Sequence, residues 1–176
     1  ERRNAKTINF GLLYGMGPQK LSRELGIKLD EAKQFIARYF ERLSGLRAFY
    51  ESVVEDAEKN GSVTTIAGRR RLLPEIRSRN AQLQSQAKRQ AINTVVQGSA
   101  ADIIKMAMIA VDADPALKDL GARLILQIHD ELVAEAPSGA ARQAGERLAA
   151  LMSGIVALDV PLAVDLGVGP DWGAAH

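Results

Sequence analysis

Arg2–Gly15 reads RRNAKTINFGLLYG. Within it Arg2, Lys6, Phe10 and Tyr14 recur every four residues. Steps of four on a 3.6-residue helix drift by only about 40° each, so two cations and then two aromatics form one slowly turning line. A helix built only for a core would place leucines there. Cations in a first turn oppose the helix macrodipole by about 0.3–1 kcal/mol each when exposed. An anion at that end reverses the sign, because it meets both the free N–H groups and the side chains. An Arg fork and a mobile Lys charge suit a polyphosphate. One turn on, Phe10 can abut a sugar and Tyr14 can stack near a base. The plainer alternative is a half-buried helix with surface Arg and Lys, and the residues alone leave both open.

Outward from this helix, Gly15-Met16-Gly17-Pro18 stops it, because glycine ends a helix well and proline cannot continue one. A short helix near 19–25 follows. Asp30 then reads as the N-cap of a long amphipathic stretch, with Phe35, Ile36, Tyr39, Phe40, Leu43, Leu46, Phe49, Tyr50, Val53 and Val54 at helical spacing. Ser44-Gly45 is expected to kink or split it. The stretch SVTTIAGRRRLLP from Ser62 reads as a small β-hairpin turning near Ala67-Gly68. A second long helix is expected over about 80–112, with Gly98 inside it at a cost of about 1 kcal/mol relative to Ala. That cost suggests close approach of a neighbouring helix or a ligand. ARLILQIHDELVAEA from Ala122 alternates on both sides of His129-Asp130 and reads as two strands joined by a very tight turn. Ser138 is expected to cap a helix to about 157, and Pro161 to open a last strand carrying Leu162, Val164 and Leu166. Helices dominate and strands come in hairpins, so the class is α+β with antiparallel hairpins packed on helices.

The chain has 176 residues, 47 % of them hydrophobic, enough for one good core shared by two subdomains. With no Cys, a disulfide framework, a thiolate metal site and a Cys nucleophile are excluded. No apolar run is expected to cross a membrane and no signal peptide is visible. Beginning at Glu1 inside a helical pattern, the chain reads as part of a longer one. The net charge of +2 hides an asymmetry: residues 1–90 hold 18 Lys and Arg against 10 Asp and Glu, and residues 91–176 hold 5 against 11. A basic half joined to an acidic one suits a polyanion on one side and cations on the other, although a run such as Arg69–Arg71 is as readily a solvated face.

Two more constellations carry chemistry. Asp130-Glu131 at a rigid hairpin tip suits a hard divalent cation such as Mg²⁺, which takes one or two carboxylates plus substrate phosphates; against this, turns favour Asp for their own reasons. His129 beside it is one of two histidines. Arg89, Asn93 and Gln97, spaced four apart, can donate to acceptors at base edges in a minor groove; an ordinary polar helix face is the alternative.

Together these segments resemble the C-terminal part of the bacterial family A DNA polymerases. RRNAKTINFGLLYG is similar to the motif B helix of the fingers, QIHDELV to motif C, INTVVQGSAADIIK and GRRRLLP to flanking palm and fingers segments, and LDVPLAVDLGVGPDW to the C-terminal strand. The resemblance implies a fingers subdomain over 1–84 and the C-terminal part of the palm over 85–176. It implies that Arg2 and Lys6 bind the triphosphate of an incoming dNTP, Lys6 also protonating the pyrophosphate. Phe10 would lie against the sugar, and Tyr14 beside the nascent base pair. Asp130 would ligate a catalytic metal with Glu131 in a lesser role, and His129 would approach the primer terminus. Arg89, Asn93 and Gln97 would hold the minor groove of the primer-template DNA, and the glycines around Met16 would hinge the fingers helix. The implied setting is the bacterial cytoplasm at the nucleoid, without a membrane, and the chemistry is nucleotidyl transfer assisted by two Mg²⁺. No segment matches the family's motif A carboxylate, which lies upstream with the rest of the palm and the thumb. The expectation is therefore that this stretch alone does not polymerise. A nucleic-acid-binding module without catalysis is the competing reading, and a phosphodiesterase built on Asp130-Glu131 a remote third.

Overall fold

A computed structural model describes residues 2–175, with side chains from Ile8 onward. The chain folds as two compact units, 1–99 and 100–176.

In the first unit, α1 (Arg2–Leu13), α2 (Pro18–Leu25), α3 (Leu29–Arg42) and α4 (Ser44–Asn60) lead to a hairpin of β1 (Ser62–Thr64) and β2 (Arg70–Leu72), a short 3₁₀ turn at Pro74–Arg77 and α5 (Ala81–Asn93). Leu12, Leu21 and Ala32 form one core, bringing together α1, α2 and α3. Tyr50, Val53, Ala57, Val63, Leu73, Ile76, Ala87, Ala91 and Ile92 form a second around α4, the hairpin and α5, and Leu13 packs against it. Helix α1 is thus seated by adjacent leucines in two different cores. The expected break at Ser44-Gly45 is present: α3 ends at Arg42, and Leu43, at φ −108° and ψ 57°, separates it from α4. Asp30 is not the N-cap. Lys28 takes that position and its backbone N–H donates to Glu31 Oε2 at 3.3 Å, which places Asp30 inside the first turn, where its charge still favours the dipole.

The second long helix is not uniform. After α5 the chain makes a π-helical turn over Thr94–Gly98 before α6 (Ser99–Ala113). Thr94 Oγ1 donates to the Gln90 carbonyl at 2.6 Å and Ser99 Oγ donates to the Val95 carbonyl. A close approach at Gly98 is present, but it comes from the hairpin and not from the neighbouring helix or ligand expected: a Cβ there would lie 2.8 Å from Thr65 Cγ2. Ala81–Ala113 as one helical run is long and apolar enough, by length and mean hydropathy, to cross a membrane. This corrects the expectation that no such run exists. Asn93, Gln97, Ser99 and Asp102 interrupt its apolar character.

In the second unit, α6 leads to α7 (Pro115–Asp119), an antiparallel hairpin of β3 (Arg123–Ile128) and β4 (Glu131–Glu135), α8 (Ala141–Ser153) and α9 (Trp172–Ala175). Val111, Leu117 and Ala144 form its core, with Leu124, Leu132 and Leu148 packed around them. Asp114 caps α7 through the Leu117 N–H at 3.0 Å and is bound by Arg147 of α8 through Nε at 3.2 Å and Nη2 at 2.6 Å. Ser138 does not cap α8. Ala140 N–H donates to the Pro137 carbonyl at 2.8 Å, so Ser138-Gly139 fill a turn, and the helix begins after Ala140 and ends at Ser153. The strand expected from Pro161 is absent: no regular structure is assigned at 161–169. Leu166 instead lies on Gly145 of α8, its Cδ1 2.6 Å from where a Cβ would be, so this apolar side chain meets a helix rather than a neighbouring strand.

Candidate nucleotide and nucleic-acid site

Leu12 is 1 % exposed and fixes the orientation of α1. At about 100° per residue, Phe10 and Tyr14 fall on the side away from it. Phe10 is 48 % exposed and Tyr14 half-buried. Their rings are stacked, with centroids 6.4 Å apart and planes 14° from parallel. The first turn of α1 carries no acidic residue. The side chains of Arg2 and Lys6 lie outside the described residues. The helix ends in a Schellman motif: Met16 N–H donates to the Gly11 carbonyl at 2.8 Å and Gly15 N–H to the Leu12 carbonyl at 3.0 Å, with Gly15 at φ 78°. The Met16 thioether lies over Gly11, where a Cβ would collide with it.

Arg89 on α5 meets this helix end. Its Cγ lies 2.8 Å from where a Cβ on Gly15 would be, while its Nη1 donates to Ser85 Oγ at 2.9 Å. Asn93 stands where the π-helical turn begins, and its Oδ1 is buried without a hydrogen-bond partner. The wider turn rotates the chain less per residue, which counters the drift of four-residue steps and keeps Gln97 near the line of Asn93. This turn escaped the sequence reading; Gly98 flanked by Thr94 and Ser99 was its signal.

The third element is the β3–β4 tip in the second unit. Ile128 pairs with Glu131, leaving His129-Asp130 as a two-residue turn. His129 has φ 52°, among the described residues the only positive φ outside glycine. Such a conformation costs about 1–2 kcal/mol and is held here by Gln127 Nε2, which donates to the His129 carbonyl at 2.6 Å. Asp130 is exposed and Glu131 half-buried. Strand β3 carries an irregularity at Ile125, between Leu124 and Leu126, of the kind that re-aims side chains near sites. The far end is closed by an ion pair of Arg123 with Glu135. Carboxylate oxygens suit a hard cation. Among the described residues, however, no group of three or more His, Cys, Asp or Glu could hold a metal, so Asp130 and Glu131 are at most one side of such a site.

The candidates in the first unit are thus the stacked Phe10–Tyr14 pair at the end of α1 and the Arg89, Asn93 and Gln97 row, and in the second unit a carboxylate-bearing hairpin tip. The family model for DNA polymerase family A matches residues 1–174. The chain is 48 % identical over its whole length to DNA polymerase I of Pseudomonas aeruginosa, covering 19 % of that protein. It is 46 % identical over 171 residues to the thermostable DNA polymerase I of Thermus aquaticus, covering 20 % of it. A solved structure, the POL domain of Pol1 from M. smegmatis in complex with DNA primer-template and dNTP, superposes with a TM-score of 0.92 at 44 % identity over 99 % of this chain and 31 % of that one. The chain belongs to DNA polymerase family A. It spans about a fifth of the length of these curated relatives.

Proposed function

We propose that this chain supplies the fingers (1–84) and the C-terminal part of the palm (85–176) of a DNA-directed DNA polymerase. That enzyme would work on primer-template DNA and dNTPs in the bacterial cytoplasm, at the nucleoid. The likeness to a POL domain solved with DNA primer-template and dNTP is what supports the reading most. In it, Arg2 and Lys6 receive the triphosphate at the start of α1, Phe10 lies against the sugar, and Tyr14 borders the nascent pair. Arg89, Asn93 and Gln97 grip the minor groove, and His129 approaches the primer terminus. The primer 3′-oxygen bonds to the α-phosphorus as the bond from that phosphorus to the bridging oxygen breaks. Pyrophosphate leaves with a proton from Lys6, and the hydroxyl proton passes to solvent. Asp130, with Glu131 in a lesser role, offers the oxygen donors that Mg²⁺ takes; when bound, the two ions offset phosphate charge and make the hydroxyl more acidic. The remaining carboxylates come from outside the described residues. Positioning and charge stabilisation carry most of the catalysis.

The test is Asp130→Ala in a full-length polymerase carrying this segment. Primer extension is expected to vanish while duplex affinity stays within about twofold, because one exposed anion contributes little to a phosphate-dominated affinity. Extension that persists refutes the metal assignment. A wild type that binds duplex but never extends it would instead identify a binding module without catalysis.

A further inference from the structure

The Schellman motif at the end of α1 takes up the carbonyls of Gly11 and Leu12. Leu13, whose carbonyl precedes Tyr14, is served by a residue 37 positions away: the Tyr50 hydroxyl of α4 donates to it. Tyr50 is 9 % exposed. Its ring is locked by Phe40 at 5.7 Å, edge-on, and by Phe49 at 5.9 Å. Burial pushes the phenol up to about 12, so it keeps its proton throughout any working pH. On the same helix end, the Arg89 stem lies under Gly15. The turn bearing Tyr14 is therefore fastened to α4 on one side and seated on α5 on the other. By contrast, a Cβ at Gly17 would meet nothing within 4 Å. This leaves Gly17, rather than Gly15, as the unencumbered glycine of the expected hinge.

We propose that Tyr50 is a positioning residue for nucleotide selection: through the Leu13 carbonyl it holds the last turn of α1, and with it Tyr14, against the α4 core. This rests on the function proposed above. Core packing alone would make Tyr50 matter only for stability. The hydrogen bond predicts an effect on nucleotide handling, because the carbonyl it holds is bonded directly to the Tyr14 nitrogen.

The experiment is single-nucleotide incorporation by a full-length polymerase carrying this segment, as wild type, Tyr50→Phe and Val53→Ala. Tyr50→Phe removes one oxygen and leaves the ring contacts. It is expected to raise KM for the correct dNTP about three- to tenfold, the net worth of one hydrogen bond, with kcat nearly unchanged. Discrimination against the mispaired dNTP should fall by a similar factor, and amide exchange over residues 10–16 should quicken. Val53→Ala loosens the same core but keeps the Tyr50 hydroxyl that donates to the Leu13 carbonyl, and should lower Tm while leaving KM and discrimination at wild-type values. Wild-type KM and discrimination in Tyr50→Phe, or equal changes in both variants, would overturn the proposal. A wild type that fails to extend would overturn the functional reading beneath it as well; wild-type extension with unaltered Tyr50→Phe kinetics overturns this inference alone.

Discussion

Replacing Gly98 with alanine sets two effects of opposite sign against each other. Helix propensity favours alanine by about 1 kcal/mol. Against it stands Thr65 Cγ2, 2.8 Å from where the new Cβ would sit. That methyl is not the loose end of a flexible chain. Thr65 is 6 % exposed, its Oγ1 accepts from Arg69 N–H at 3.1 Å and its backbone N–H donates to the Arg69 carbonyl at 3.0 Å. Turning the side chain away would break the first of these bonds. Overpacking of this kind costs about 1–3 kcal/mol, so Gly98→Ala should be destabilising by about 1 kcal/mol net. In a unit of this size, that corresponds to a fall of about 4–8 °C in Tm. The companion is Thr65→Ser, which keeps the hydroxyl and deletes the methyl. In that background the clash is gone and Gly98→Ala should raise stability by as much as about 1 kcal/mol, the propensity gain alone. Thermal melts of the four proteins of the cycle, followed by circular dichroism, read this directly. A Gly98→Ala protein as stable as wild type, or one that Thr65→Ser does not rescue, would refute the claim that this glycine exists to admit the hairpin.

Two further outcomes are expected, the first resting on the proposed function and the second on the described geometry. Phe10→Tyr in a full-length polymerase should raise dideoxynucleotide incorporation, since a phenol hydroxyl would replace interactions of the missing sugar hydroxyl; unchanged chain termination on sequencing gels would count against Phe10 at the sugar. The Arg147 guanidinium, bonded to Asp114, holds that carboxyl below its ordinary range, helped by the Leu117 N–H and opposed by burial. A group whose folded pKa is depressed stabilises the fold above its unfolded value and loses that contribution as pH falls. The Tm difference between wild type and Asp114→Asn should therefore be full above about pH 4 and shrink below it. A difference that is flat from neutral to acid would show that the ion pair does not contribute.

Local signals carried much of this molecule. The four-residue line Phe10–Tyr14, the stop at Gly15, the break at Ser44-Gly45, the small hairpin after Ser62 and the two-residue turn at His129-Asp130 each depend on residues within one or two turns of chain. Periodicity and turn chemistry report such features directly. Among the described candidate residues, the Phe10–Tyr14 face and the His129-Asp130 tip were legible for the same reason, because each depends on local spacing or a local turn. The errors also have a common cause. Asp30, Ser138 and the segment after Pro161 all carry good local signals, and each was overridden: by a Glu31 side chain reaching back to Lys28, by a turn closing on Pro137, and by α8 offering Leu166 a seat on Gly145. The sequence by itself determined where helices and turns fall and which side chains they line up. Only the tertiary structure decided that the helix bulges at Thr94–Gly98 against the hairpin, that Arg147 clasps Asp114 from 33 residues away, and that Tyr50 fastens Leu13 from 37. Those contacts join residues far apart along the chain, and no pattern within a few turns of helix encodes a partner that the fold must first bring near.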